Sequence, residues 1–118
     1  MHKNLNVSSL LDFYGDILSE KQREAAELYY NDDLSLSEIA QNQGITKQGV
    51  RDTIKRAENQ LVFMEEKLNL FNKFQIMTNK LEMIVNIAIK LKELEYNNRN
   101  VQDLLSIIIN HAKSLLEE

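Results

Sequence analysis

Four basic residues, Lys47, Arg51, Lys55 and Arg56, fall within ten positions, with Asp52 the single acid among residues 47–56. The rest of the chain is acidic. Residues 1–46 hold eight acids against three bases and residues 62–118 eight against seven, for a net charge of −4. A net negative charge excludes a general nucleic-acid coating protein, whose affinity rests on neutralising phosphates. A local basic cluster is usually only a solvated helix face. It gains meaning when it lies on the second helix of a helix-turn-helix, where Lys47, Gln48, Arg51, Asp52 and Lys55 occupy the outer side near the helix start and can meet phosphates and bases.

No other grouping points to chemistry. His2 lies near the chain start, and His111 falls in the last helix beside Asn110 and Ala112, where a partly exposed structural histidine is the simpler reading. Asp32-Asp33 reads as a turn whose side chains bond the nearby backbone, without calcium-loop spacing. Glu65-Glu66 and Glu117-Glu118 read as solvated surface. No cysteine is present, which removes thiolate catalysis, disulfides and cysteine zinc sites together. No glycine-rich loop follows a strand. The expectation is a protein that is not an enzyme and holds no cofactor or metal.

The elements that must position the basic residues are legible from caps and spacing. Ser35 with Glu38 three residues on forms a capping box. Leu36, Ile39 and Ala40 make a short buried stripe, and Gly44 supplies the left-handed residue that ends the helix. The first helix of the motif therefore covers about 36–43. Ile45 plugs the angle between the helices, and Thr46 caps a recognition helix from about 47. Along it Val50, Ile54, Ala57, Leu61, Met64, Leu68 and Phe71 recur at spacings of four and three, so they share the inward face.

The flanking segments are helical too, since the chain has no proline, three glycines and 43% hydrophobic residues. Ser8 or Ser9 is expected to cap a first helix through Leu10, Leu11, Phe13, Tyr14, Ile17 and Leu18. Ser19 with Gln22 opens a second, to about Tyr30, which buries Ala25, Ala26, Leu28 and Tyr29. The inner stripe changes phase near Asn69 to Lys73, and Leu70, Phe74, Met77, Leu81, Ile84, Ala88 and Leu91 take over. After a polar segment, Asn100 with Asp103 starts a last helix carrying Val101, Leu105, Ile108, Ala112 and Leu115. The expected organisation is all-α: a helix-turn-helix region over 1–68 and a C-terminal antiparallel helical hairpin over 69–118.

The hairpin is apolar around more of its circumference than one contact covers. Ile76, Met83, Val85, Ile87, Ile89, Leu94, Ile107 and Ile109 lie outside the main stripes. Surplus apolar surface calls for a cover: the N-terminal helices of the same chain, a second copy, or another protein. Ile76, Met83, Ile87, Leu94, Ile107 and Ile109 are the candidate oligomerisation residues of a homodimer. No apolar run reaches membrane-spanning length, and the start of the chain has no signal-peptide core. No membrane insertion is expected, and the expected location is cytoplasmic.

Leu18-Ser-Glu-Lys-Gln-Arg-Glu24, Leu34-Ser-Leu-Ser-Glu-Ile-Ala40, Gly44-Ile-Thr-Lys-Gln-Gly-Val-Arg51 and Ala57 to Leu61 resemble region 4 of bacterial sigma factors. Leu10 to Gly15, the Ile54-Lys-Arg-Ala-Glu core and Leu68 to Phe74 extend a resemblance to the small bacterial YlxM family over nearly the whole chain. The sigma resemblance implies base-reading positions at Lys47, Gln48 and Asp52 and a backbone contact at Arg51. Lys47 then suits guanine, Gln48 adenine and Asp52 the amino group of cytosine. Gly49 and Asp52 depart from the sigma pattern, and every other sigma region is missing, so the chain is not a sigma factor. The YlxM resemblance implies a regulatory role associated with the signal recognition particle pathway.

Two functions follow as expectations. In the first, a regulatory protein binds DNA, or alternatively RNA, through Lys47, Gln48, Arg51, Asp52, Lys55 and Arg56, paired as a dimer by the hairpin. In the second, the helix-turn-helix is only a scaffold, and the protein is a non-catalytic adaptor for a protein or RNA component of the targeting machinery.

Overall fold

The computed structural model describes residues 5–117, so His2 and Glu118 lie outside the described residues. Among them the secondary structure is helical, in the order α1 (Leu5–Tyr14), a 3₁₀ turn (Gly15–Ile17), α2 (Glu20–Tyr30), α3 (Leu36–Gln43), α4 (Lys47–Leu68), α5 (Leu70–Leu94) and α6 (Arg99–Leu116). The chain divides into two compact units, residues 1–71 and 72–118.

The first unit is organised around α4. Val50, Ile54, Ala57 and Leu61 are fully buried along one face of it, as their spacing of three and four requires. The N-terminal half of this face packs with Ala25 and Tyr29 of α2 and Ile39 and Ala40 of α3. The C-terminal half packs with Val7, Leu10, Leu11, Tyr14, Leu18 and Ala26. The stripe stops short of its expected end: Met64 and Phe71 are half-buried and Leu68 is exposed. Asn69, at φ 53°, breaks the helix there, and its N–H donates to the Glu65 carbonyl at 2.8 Å.

Ser8 and Ser9 do not cap α1. The helix begins before them, because Val7 belongs to the same inward stripe as Leu11, Tyr14 and Leu18. Arg23 joins the 3₁₀ turn to α2, donating to Asp16 at 2.6 Å and Glu27 at 3.1 Å. Tyr14 donates to Glu65 Oε1 at 2.7 Å, and that oxygen also accepts from the Phe71 N–H at 3.0 Å. One carboxylate thus ties α1 and the Phe71 backbone to the end of α4 within the first unit. Burial first, and then the bond to Glu65, raise the Tyr14 hydroxyl above its ordinary pKa.

The second unit is the helical hairpin of α5 and α6. Its core is small: Ala88, Leu105 and Ile109, with Val101 packed beside them, while Val85 and Ala112 are also buried. Two expectations are corrected here. Ile109 is only 8% exposed and lies inside the hairpin, and Val85, also assigned to the outer surface, is buried, whereas Ile84, Leu91, Ile108 and Leu115 are outside. The inner faces are therefore rotated from the expected stripes. Polar bonds across the hairpin fit this rotation: Lys92 Nζ donates to Ser106 Oγ at 2.9 Å, and Gln102 Nε2 to the carbonyls of Lys92 (2.7 Å) and Glu95 (3.1 Å). Gln102 thereby bonds carbonyls at and just beyond the end of α5, of which that of Glu95 also accepts from the Asn98 N–H at 3.0 Å. The cap of α6 is Asn98, whose Oδ1 accepts from the Val101 N–H at 3.2 Å, rather than Asn100.

Candidate nucleic-acid interface

The turn that presents the basic cluster is built as its residue types demand. Ser35 Oγ accepts from the Glu38 N–H, and Glu38 Oε1 from the Ser35 N–H, both at 3.1 Å. The backbone bond from Ser35 is the first cause that lowers the Glu38 pKa from its ordinary value. Gly44 takes the left-handed conformation at φ 68°, and both its own N–H and that of Ile45 close on the Ala40 carbonyl. Half-buried Ile45 packs on the cluster formed by α2, α3 and α4. Thr46 Oγ1 then caps α4 by accepting from the Gly49 N–H at 3.0 Å. Ser19 and Gln22 form a matching capping box on α2, with both bonds at 3.2 Å.

Gly49 donates its N–H to this cap. A Cβ there would stand 3.1 Å from the capping Thr46 hydroxyl, while its own carbonyl accepts from Thr53 Oγ1 at 2.9 Å. A side chain at this position would press on the cap by a few tenths of an ångström, although Glu38 and Gln22 occupy the equivalent position under the Ser35 and Ser19 caps.

Lys47, Gln48, Arg51, Asp52, Lys55 and Arg56 are all exposed. A helical residue turns by about 100° from the one before it, so Lys47, Arg51 and Lys55 form a single slowly curving row, and Arg56 stands about 100° round from Lys55. Arg56 is thereby placed beside Asp52 and apart from the row. Among the described residues, none of the four bases forms an ion pair. Gln48 is engaged: its Nε2 donates to Asp52 Oδ1 at 3.1 Å.

Tyr30 contributes what sequence reasoning missed. Glu58 lies three residues beyond Lys55, where it could neutralise the row. It instead accepts a bond from the Tyr30 hydroxyl at 2.6 Å. No periodicity in the chain announces this pairing, since it joins positions 28 residues apart. The arrangement can engage a polyanion by charge and by hydrogen bonds. Among the described residues no group of three or more histidines and acids is placed to hold a metal ion, and no helix is long and apolar enough to cross a membrane. His111 is exposed on α6.

A short capped helix, a left-handed glycine turn and a long second helix seated on a shared core define a helix-turn-helix protein. Residues 1–104 match the UPF0122 family model, described as "Putative helix-turn-helix protein, YlxM / p13 like". The chain belongs to that family. It is similar to the UPF0122 protein of Thermoanaerobacter sp. (strain X514), 42% identical over 113 residues that cover 96% of this chain and 93% of the relative. The UPF0122 protein of Limosilactobacillus reuteri (strain DSM 20016) is 38% identical over 120 residues, covering 100% and 98%. That of Acetivibrio thermocellus is 40% identical over 119 residues, covering 100% and 97%.

Proposed function

We propose that this protein is a non-catalytic cytoplasmic regulator that binds nucleic acid, with DNA the leading ligand, through the outer face of α4. The observation that carries the reading is the exposed row Lys47, Arg51 and Lys55, free of ion pairs among the described residues. Three free cations on one rigid helix contact phosphates without first breaking internal pairs, and the capped start of α4 holds them in place. The YlxM resemblance supports a setting in the signal recognition particle pathway. Pairing of two copies through the hairpin would present two recognition helices and raise the affinity of each.

Fluorescence anisotropy with labelled duplex DNA and duplex RNA, across a salt series, tests the reading. Binding should weaken steeply with salt, and Lys47→Ala and Arg51→Ala should each lower the log–log slope by about one. Absence of binding to either duplex at low salt, or binding indifferent to salt, overturns it.

The adaptor reading draws on a different observation, the large apolar side chains exposed on the hairpin, including Met83, Ile87, Leu94 and Leu104. A protein partner recovered from lysate after nuclease treatment, and retained by the Lys47→Ala and Arg51→Ala variants, would favour it.

A further inference from the structure

Both hairpin helices carry apolar residues that repeat every seven positions, in two sets offset by three and four. Such sets are the a and d positions of a heptad, and in a helical bundle both point into the core. The first set is Leu81 and Ala88 on α5 with Leu105 and Ala112 on α6. It is drawn into the hairpin, with Leu81 half-buried and the other three buried. The second set is Met77, Ile84 and Leu91 on α5 with Val101, Ile108 and Leu115 on α6. Apart from half-buried Val101, its members are 43–49% exposed. Ile84, Leu91 and Ile108 line one open groove, so the open sets of the two helices face the same side. Successive steps of about 100° place Glu82, Asn86, Glu93 and Lys113 on the opposite side, where all four are exposed. The hairpin is built as half of a bundle core.

Two further helices with the same repeat complete such a core, and a second copy of the hairpin supplies both. The open set, together with exposed Ile87 and Leu104, offers roughly 700 Å² of side chain per copy, so a pair withdraws about 1,400 Å², within the range of about 1,200–2,000 Å² for a stable interface. We propose that two copies pair through this face as a two-fold symmetric four-helix bundle, with Ile84 and Ile108 at its seam. The stripe of Ile76, Met83 and Leu94, expected as the contact from the periodicity, then lies outside, because it is turned about 120–140° from Ala88. The bundle specifies the pairing invoked in the proposed function, yet it rests on the hairpin alone.

Sedimentation equilibrium of the full chain with Ile84→Glu, Ile108→Glu and Met83→Glu tests this, with helix content followed by circular dichroism. Wild type and Met83→Glu should sediment as dimers. Ile84→Glu and Ile108→Glu should each weaken pairing about 100-fold or more, because each sets a carboxylate from either copy into the seam. A dimer indifferent to both substitutions, or one dissociated equally by Met83→Glu, overturns the proposal. A wild type that stays monomeric, with the face taken by another protein or by none, overturns it too. Should both seam variants unfold, the wild type still decides: a paired hairpin melts at a temperature that rises with protein concentration, and a melt indifferent to concentration overturns the pairing. A monomer that binds duplex DNA overturns the bundle and leaves the nucleic-acid reading standing. A dimer that fails on every duplex does the reverse.

Discussion

Single residues of the first unit carry unequal shares of its stability. Ile54 is fully buried where α2, α3 and α4 meet. Ile54→Ala should cost about 3 kcal/mol, through lost burial and the cavity left behind. Urea denaturation would measure it, and a loss below 1 kcal/mol would mean that the site collapses around the smaller side chain. Gly44 answers to backbone conformation alone: a Cβ there meets nothing within 4 Å, yet φ is 68°. Gly44→Ala should therefore destabilise by about 1 kcal/mol, the ordinary penalty for an L-residue in that region. A thermal melt with no shift would argue that the turn relaxes to another conformation.

At the scale of elements, the contact of α1 with the end of α4 depends on Glu65. Tyr14 donates to its carboxylate, and burial, with that bond, holds the hydroxyl protonated above its ordinary pKa. A group whose pKa is raised on folding contributes stability in full below its unfolded value, here about 10. That contribution is lost as pH rises through the folded value. The stability difference between wild type and Tyr14→Phe should stay constant from pH 7 to about 9.5 and shift against the wild type above it. Chemical denaturation at successive pH values would show this, and parallel curves to pH 11 would deny the coupling. Tyr30 acts at the same scale by drawing Glu58 toward α2.

Over the whole molecule, the two units differ in how much they bury. Among the described residues, the first unit contains two clusters of buried side chains, whereas the cluster of the second is Ala88, Leu105 and Ile109, with Val85 and Ala112 also buried. A hairpin with so small a core gains stability from whatever covers it. Ile84, Ile87, Ala88, Leu91, Leu105 and Ile108 line an open apolar groove of about 230 Å³ on it. Ile87 is 63% exposed and Leu94 78%. If a second copy covers this face, Ile87→Glu should shift the protein to monomer in sedimentation equilibrium while the helix content stays high. A wild type already monomeric at high concentration, or an undisturbed dimer of the variant, would exclude this face as the contact.

Much of the first unit could be read directly from the chain, because its signals are local. Ser35 with Glu38, Gly44 and Thr46 each act within four residues, and Val50, Ile54, Ala57 and Leu61 repeat on one helical face. The basic cluster is equally a property of consecutive positions. The hairpin was less legible for a physical reason. Its helices are apolar over so wide an arc that periodicity allows more than one inward face, and Ile109 rather than Ile108 is buried only through its packing on Ala88 and Leu105 across the hairpin. Helix type, caps and the charge row thus follow from neighbours along the chain. Which faces are buried in the hairpin, and which carboxylates are drawn from solvent by Tyr14 and Tyr30, depend on residues brought together only by folding.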